Sequence, residues 1–327
     1  MLSAEKRIEV SRLIGDLGID AAAKKLGLSR ETVRRYSRLS REGDSRPVDE
    51  LPQAAMLQKI GERCSDKELK AIFDSVIKPV DVHKSSEVFF TGEWFRVGVM
   101  SDVHGGSQYL DDWRLVAAIE ECNRSKCDQL WIAGDLTEGM SGRDGHIYEL
   151  TYAGYRAQRE YVVSRLKAFN GPIKAISGNH DLWYMSKSNS GALIVEDVCR
   201  DLGDQAEYLG EHEGTVLLNG ARVTIWHGED GAAYALSYRI QKIIESLDED
   251  SLPGLIIAGH DHKALMLPDV RGVVGIGAGC IQSQTPFMRS KKLRAYLGFW
   301  ILDVCVRDGR IVRIKPEWIP LKIKPER

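Results

Sequence analysis

From about residue 88 onward, short apolar runs alternate with amphipathic stretches. FRVGVM, DQLWIA, PIKAIS, ARVTIW and GLIIA have strand character; VVGIGAG, LGFWILDVCV and GRIVRIKPEWI continue the series, the last two as a hairpin around RDG. Between the runs, DDWRLVAAIEECNRS, YRAQREYVVSRLKAF and YALSYRIQKIIESL carry apolar residues at helical spacing. Strands interleaved with helices, with no internal repeat or low-complexity tract, predict an α/β sandwich with a mixed sheet.

The first 45 residues follow a different pattern. Ile8, Val10, Leu13 and Ile14 lie at helical spacing, DAAAKKLG is a second short helix ended by Gly27, and Ser29 caps a third. Ala23, Gly27 and Val33 fall where a helix-turn-helix needs a small residue, a turn residue and an apolar anchor. From Ala21 to Arg41 there are seven cations, Lys24, Lys25, Arg30, Arg34, Arg35, Arg38 and Arg41, against one acid, Glu31. That stretch suits phosphate contacts with DNA, and its alternative is a small helical bundle with a solvated charged face. The expected organisation is a small all-α helix-turn-helix domain at 1–45, a linker and connecting helix at 46–87, an enzyme-sized domain at 88–320, and a tail at 321–327.

Composition changes this picture little. A formal net charge of -2 over 327 residues excludes a general polyanion binder, so any basic surface is local. No segment approaches the ~18 apolar residues of a membrane span, and MLSAEKRIEV lacks the apolar core of a signal peptide; the expectation is a cytoplasmic protein without membrane association. The six cysteines are scattered, without a C-x-x-C pair, and read as buried reduced thiols. His83 reads as a surface histidine, and His146 and His212 as structural.

Chemistry enters at the strand ends. FRVGVM runs into Asp102 and His104, DQLWIA into Asp135 and Glu138, PIKAIS into Asn179, His180 and Asp181, ARVTIW into His227, and GLIIA into His260 and His262. Side chains at the carboxyl ends of strands in an α/β sheet converge on one crevice. Taken singly, Asp102 and Asp135 would read as turn or N-cap residues and His227 as a satisfied strand-end histidine; five ends delivering ligand types together overturn that. Carboxylates, imidazoles and one amide without thiolate suit Mn²⁺, Fe or Zn²⁺ in a catalytic setting. Asp102, His104, Asp135, Asn179, His227, His260 and His262 are enough for two divalent ions if one carboxylate bridges. Alternation along an extended GHDH segment would point His260 and His262 to one side and Asp261 away, serving adjacent ions.

The ordered set DVH, GDLTE, GNHD, a lone strand-end His and GHDH resembles the calcineurin-like metallophosphoesterase superfamily over residues 94 to 305. The resemblance implies an α-β-β-α sandwich and two-metal phosphoester hydrolysis. It places Asp102, His104 and His262 on the first metal, Asn179, His227 and His260 on the second, and Asp135 between them. It also makes His180 a catalytic group facing the phosphate, with Asp181 able to orient it. Gly139-Met140 and the absence of a tyrosine in the second motif set aside the Ser/Thr phosphoprotein phosphatases and the purple acid phosphatases. The layout with a helix-turn-helix resembles phage or prophage-type phosphoesterases, and in some repair nucleases of the superfamily a histidine stands where Glu138 does.

Two further segments are candidate substrate contacts. Trp183 and Tyr184, beside Lys187 in an expected loop, offer aromatics for base stacking; Arg289, Lys291 and Lys292 form a basic turn between Phe287 and Tyr296. Their alternatives are a packed aromatic loop and a solvated turn. The leading expectation is a Mn²⁺-dependent DNA nuclease positioned by its N-terminal module, possible as a homodimer. The rival readings are a phosphatase or phosphodiesterase on nucleotides or other small phosphoesters, and a catalytically dead DNA-binding regulator.

Overall fold

A computed structural model of the chain describes residues 83–186, 191–228 and 235–324, together with residues 21, 24 and 25. The chain divides into two units at Lys78–Pro79, and the strands and helices below belong to the second. The helix-turn-helix expectation, including Arg30, Arg34, Arg35 and Arg38, lies outside the described residues; Lys24 and Lys25 are helical and exposed.

The second unit opens with strands β1 (Ser85–Val88) and β2 (Trp94–Met100), helix α1 (Asp112–Arg124), β3 (Gln129–Ala133), α2 (Tyr155–Leu166) and β4 (Ile173–Ser177). Then come the short α3 (Trp183–Ser186), α4 (Ile194–Leu202), β5 (Ala206–Glu211), β6 (Glu213–Leu218), β7 (Ala221–Trp226) and α5 (Tyr238–Ser246). The unit closes with β8 (Leu255–Ala258), β9 (Ala264–Val270), β10 (Val273–Ala278), α6 (Pro286–Ser290), β11 (Gly298–Arg307) and β12 (Arg310–Pro320). All eight expected strands are present, and β11 and β12 form the expected hairpin. β1, β5, β6, β9 and α4 were not foreseen, and β1 carries the sheet upstream of Val88.

The strands form two mixed six-stranded sheets, ordered β12-β11-β2-β3-β4-β5 and β1-β6-β7-β8-β10-β9. Alternation along a strand explains the layering. In β3, Leu130 and Ile132 join Leu115, Ile119, Val162 and Leu166 of α1 and α2 on one face. Trp131 and Ala133, one residue out of phase, join Val223, Ile225, Leu255 and Ile257 of the second sheet. A strand buried on both faces reads as a continuous apolar run, which is why QLWIA was legible. The outer face of the second sheet is covered by α5, whose Ile240 and Ile244 pack on Ile256 and Val273. Helix, sheet, sheet and helix form the four layers of an α-β-β-α sandwich.

This stacking creates the site. β2, β3 and β4 run parallel in one sheet and β7 and β8 parallel in the other. The sheets pack face to face, and the carboxyl ends of those five strands meet. The two are tied there directly: the His227 ring reaches the Ala133 carbonyl, and the His260 amide donates to Asp102. The five described cysteines, Cys122, Cys127, Cys199, Cys280 and Cys305, are buried and free; Cys64 lies outside the described residues.

Candidate active site

Five of the seven expected ligands have left-handed backbone: Asp102 (φ 52°), His104 (53°), Asp135 (48°), His260 (75°) and His262 (54°). They are five of only eleven non-glycine residues so placed among those described, so strain concentrates at the strand ends, where the surrounding fold must hold it. The expectation of an extended GHDH segment is corrected accordingly. With positive φ at both histidines, His260 and His262 lie in a tight turn. They still reach separate groups of side chains.

Close approach explains the preceding glycine in the third motif. A Cβ on Gly178 would lie 2.3 Å from Asp135 Oδ1 and 2.6 Å from His227 Nε2. No side chain fits between these two groups.

The ligand types gather in three overlapping groups, Asp102 with His104 and His262, His104 with Asp135 and His180, and Asp135 with His227 and His260. Asp135 and His104 each belong to two. In the first group, His262 Nε2 lies 3.2 Å from Asp102 Oδ1 and 3.3 Å from His104 Nε2. In the third, His227 Nε2 lies 3.2 Å from Asp135 Oδ2 and 3.3 Å from Asn179 Oδ1, and His260 Nδ1 is 2.8 Å from the same Asn179 oxygen. His227 Nδ1 can only donate to the Ala133 carbonyl, 2.6 Å away, so its Nε2 is the atom left to face Asp135 and Asn179.

Electrostatics marks this as a place for positive charge. Burial disfavours a charged His227, but the Asp135 carboxylate outweighs it and pushes the imidazole up to about 9. Burial likewise disfavours a charged His262, and the Asp102 carboxylate outweighs it, holding that ring well above the usual histidine range. Asp102 Oδ1 is buried with the His262 and His104 rings beside it, at 3.2 and 3.9 Å, and no hydrogen bond of good geometry, so a cation there would satisfy the carboxylate and both rings together. Oxygen and imidazole donors converging around such an atom fit divalent ions.

A second layer, not foreseen as a unit, braces the first. Glu138 Oε2 lies 3.0 Å from His104 Nδ1 and accepts from the Gln282 amide at 2.9 Å; its Oε1 lies 3.3 Å from His146 Nε2. The Ser141 amide donates to His146 Nδ1, which fixes the His146 proton on the side of Glu138. Burial opposes ionisation of Glu138, but His104 and His146 outweigh it and hold the carboxyl below its usual range. His146, expected to be merely structural, belongs to this network. The one sequence signal was an acid in the second motif; Gln282 gave none.

His180 lies edge-on to His104, ring centroids 4.5 Å apart, and rests against Trp183 at 3.8 Å with the rings tilted by 31°. Its Nδ1–H donates to the Glu138 carbonyl at 3.0 Å, leaving Nε2 for the cavity. The role expected for Asp181 is corrected: its carboxylate accepts from the amides of Leu136, Thr137 and Gly178 and from the Thr137 hydroxyl. Those four bonds spend it on joining two turns, and the Glu138 carbonyl orients His180 instead. Burial, aided by the Asp135 charge, pushes the Asp181 carboxyl up to about 6.

The site opens into a cavity of about 680 Å³. Trp183, Lys263, Phe287, Lys291 and Arg294 are among its walls. Tyr184 is corrected as a substrate contact, since it is buried in the core against Tyr155 and cannot meet a base. The expected loop there is the helix α3, and Lys187 lies outside the described residues. The expected basic turn is α6 with its following residues; Lys291 faces the cavity, whereas Arg289 and Lys292 are exposed and do not line it.

The chain belongs to the calcineurin-like phosphoesterase superfamily, whose domain model matches residues 95–292. It is a metal-dependent phosphoesterase, and the family uses divalent metals. Similar solved structures include a novel archaeal phosphodiesterase, 15% identical over 69% of this chain and 100% of that one, with a TM-score of 0.41. Yfce, a phosphoesterase from E. coli, is 16% identical over 68% of this chain and 98% of that one (TM-score 0.37). A Vps29 single mutant from Entamoeba histolytica is 13% identical over 69% and 99% (TM-score 0.34). The family assignment rests on the domain match and not on these structures. A comparison with curated proteins gives no match. Among the described residues, no helix is long and apolar enough to cross a membrane.

Proposed function

We propose that the protein is a two-metal phosphodiesterase that cleaves DNA, with Mn²⁺ as its preferred ion and Fe or Zn²⁺ as substitutes. Asp102, His104 and His262 would hold one ion and Asn179, His227 and His260 the other, with Asp135 available to both. The observation that carries this reading is the group Asp102, His104 and His262 beside the group Asp135, His227 and His260, with Asp135 Oδ2 also 3.7 Å from His104 Nε2, next to a cavity whose walls bear Lys263, Lys291 and Arg294. Cations around an acidic and imidazole-rich centre suit a polyanionic diester better than a neutral ester. The basic segment expected at residues 24–38 supplies the rest of the argument for DNA.

When bound, two divalent ions lower the pKa of a water and neutralise charge on the phosphate oxygens. The residues of this chain do the remaining work. Asp102 and Asp135 bring the negative charge that retains the ions, and Glu138 fixes the His104 ring so that Nε2 faces the centre. His180, held at Nδ1 by the Glu138 carbonyl, presents Nε2 to the phosphoester. Burial keeps this ring largely neutral, so the negative charge of an arriving diester is what favours its protonation; the proton then passes from Nε2 to the leaving oxygen.

One observation favours a second reading. A cavity of about 680 Å³ has the size of a small-ligand site, which suits a nucleotide or another small phosphoester. Hydrolysis with Mn²⁺ of bis(p-nitrophenyl) phosphate, nucleotides, and plasmid, linear and single-stranded DNA, with Asp135→Asn as control, separates the two. Turnover of nucleotides with every DNA left intact refutes the nuclease.

A further inference from the structure

Helix α6 poses a packing question. Its register is locked: Thr285 caps it by accepting from the Met288 amide, Pro286 stands at its first turn, and Met288 is buried as its anchor. With Met288 pinned inward, Phe287 is held outward, 61% exposed, on the wall of the cavity that also contains His180. A phenylalanine held on the wall of a catalytic cavity is placed to meet whatever binds there.

The neighbours identify the kind of ligand. Lys291 and Arg294 follow on the same cavity wall, and Arg294 is steadied over the Tyr296 ring at 5.0 Å. Trp183, the other large aromatic there, has His180 against it at 3.8 Å and His146 edge-on at 5.6 Å, so it backs the catalytic ring. Phe287 is therefore the ring left to receive a ligand. Its setting combines an aromatic face, two cations and a phosphoester centre in a cavity of small-ligand size.

We infer that Phe287, with Lys291 and Arg294, forms a base subsite: Phe287 stacks on the unpaired nucleobase of the nucleotide whose phosphate is at the centre, and the two cations hold a phosphate. A base inside a duplex is already stacked on both faces, so it must leave the helix to meet this ring. The nuclease thus acts at single-stranded ends, gaps or flipped nucleotides, even where the N-terminal module holds duplex. This rests on the phosphodiesterase reading above and adds which part of the substrate is recognised.

Calorimetric titration of the Mn²⁺-loaded protein with thymidine 5′-phosphate, 2-deoxyribose 5-phosphate and inorganic phosphate tests it directly. The wild type is expected to bind the base-bearing ligand about 10-fold or more tightly than the sugar phosphate. Phe287→Ala should bring the two within about 2-fold and leave inorganic phosphate binding unchanged. Phe287→Trp should restore the preference, which guards against a misfolded alanine variant. Equal affinities in the wild type, or an unchanged ratio in Phe287→Ala, overturns the subsite while leaving the phosphodiesterase standing. Absence of hydrolysis of bis(p-nitrophenyl) phosphate by the same loaded protein overturns both.

Discussion

The sharpest consequence of the geometry concerns a residue that performs no chemistry. Gly178→Ala adds one methyl group at a point 2.3 Å from Asp135 Oδ1, 2.4 Å from the Asp135 amide and 2.6 Å from His227 Nε2. Ordinary contact needs about 1 Å more, and none of the three is the end of a long flexible chain: the first is a carboxylate oxygen held by the His180 amide, the second is backbone, and the third belongs to a ring anchored through Nδ1 to Ala133. The bridging carboxylate must therefore shift by about 1 Å, a displacement worth roughly 10²-fold in rate. Overpacking should add ~1–3 kcal/mol of destabilisation. The assay is hydrolysis of bis(p-nitrophenyl) phosphate at saturating Mn²⁺, paired with Mn²⁺ titration calorimetry and a thermal melt. Gly142→Ala is the control, because a methyl there meets nothing within 4 Å. Retention of rate and Mn²⁺ affinity within about 2-fold in a folded Gly178→Ala protein would refute the reasoning, since it would mean that Asp135 and His227 need not approach as described.

Three other outcomes follow from the same contacts. Glu138→Gln keeps the shape but removes the charge shared by His104 and His146, and should weaken Mn²⁺ binding by about 10–100-fold in calorimetry with little change in melting temperature. Asp181→Asn leaves backbone donors of two turns facing an amide and should cost ~2–4 kcal/mol in chemical denaturation; an unchanged midpoint would show that these bonds do not hold the turns. Tyr184→Ala should cost ~3–5 kcal/mol while leaving KM for a small diester unchanged, as befits a core residue; a raised KM with intact stability would return it to the substrate.

How much was legible in the sequence depended on what each residue packs against. β3, β4 and β8 are buried throughout and β2 and β7 are buried over most of their second halves, so all five read as apolar runs, and the motifs directly after them were found with their order intact. β1 alternates exposed and buried at a sheet edge, and β9 carries Pro268 and Asp269 on another edge, so neither has that signal. Spacing named the ligand types but not their backbone: the left-handed turn at His260 and His262 replaces the extended segment that alternation suggested. Tyr184 and Trp183 are adjacent and equally aromatic, and only tertiary packing sends one into the core and the other to His180. The network of Glu138, His146 and Gln282 joins residues up to 144 positions apart, a convergence no local pattern announces.

Two ions sharing Asp135 are the central requirement of the proposed chemistry. Chelator-stripped protein should be inactive toward bis(p-nitrophenyl) phosphate and regain activity as Mn²⁺ is added back, with the rate rising until two ions per chain are bound. Full activity in the stripped protein, or saturation of rate and binding at a single ion, would contradict it.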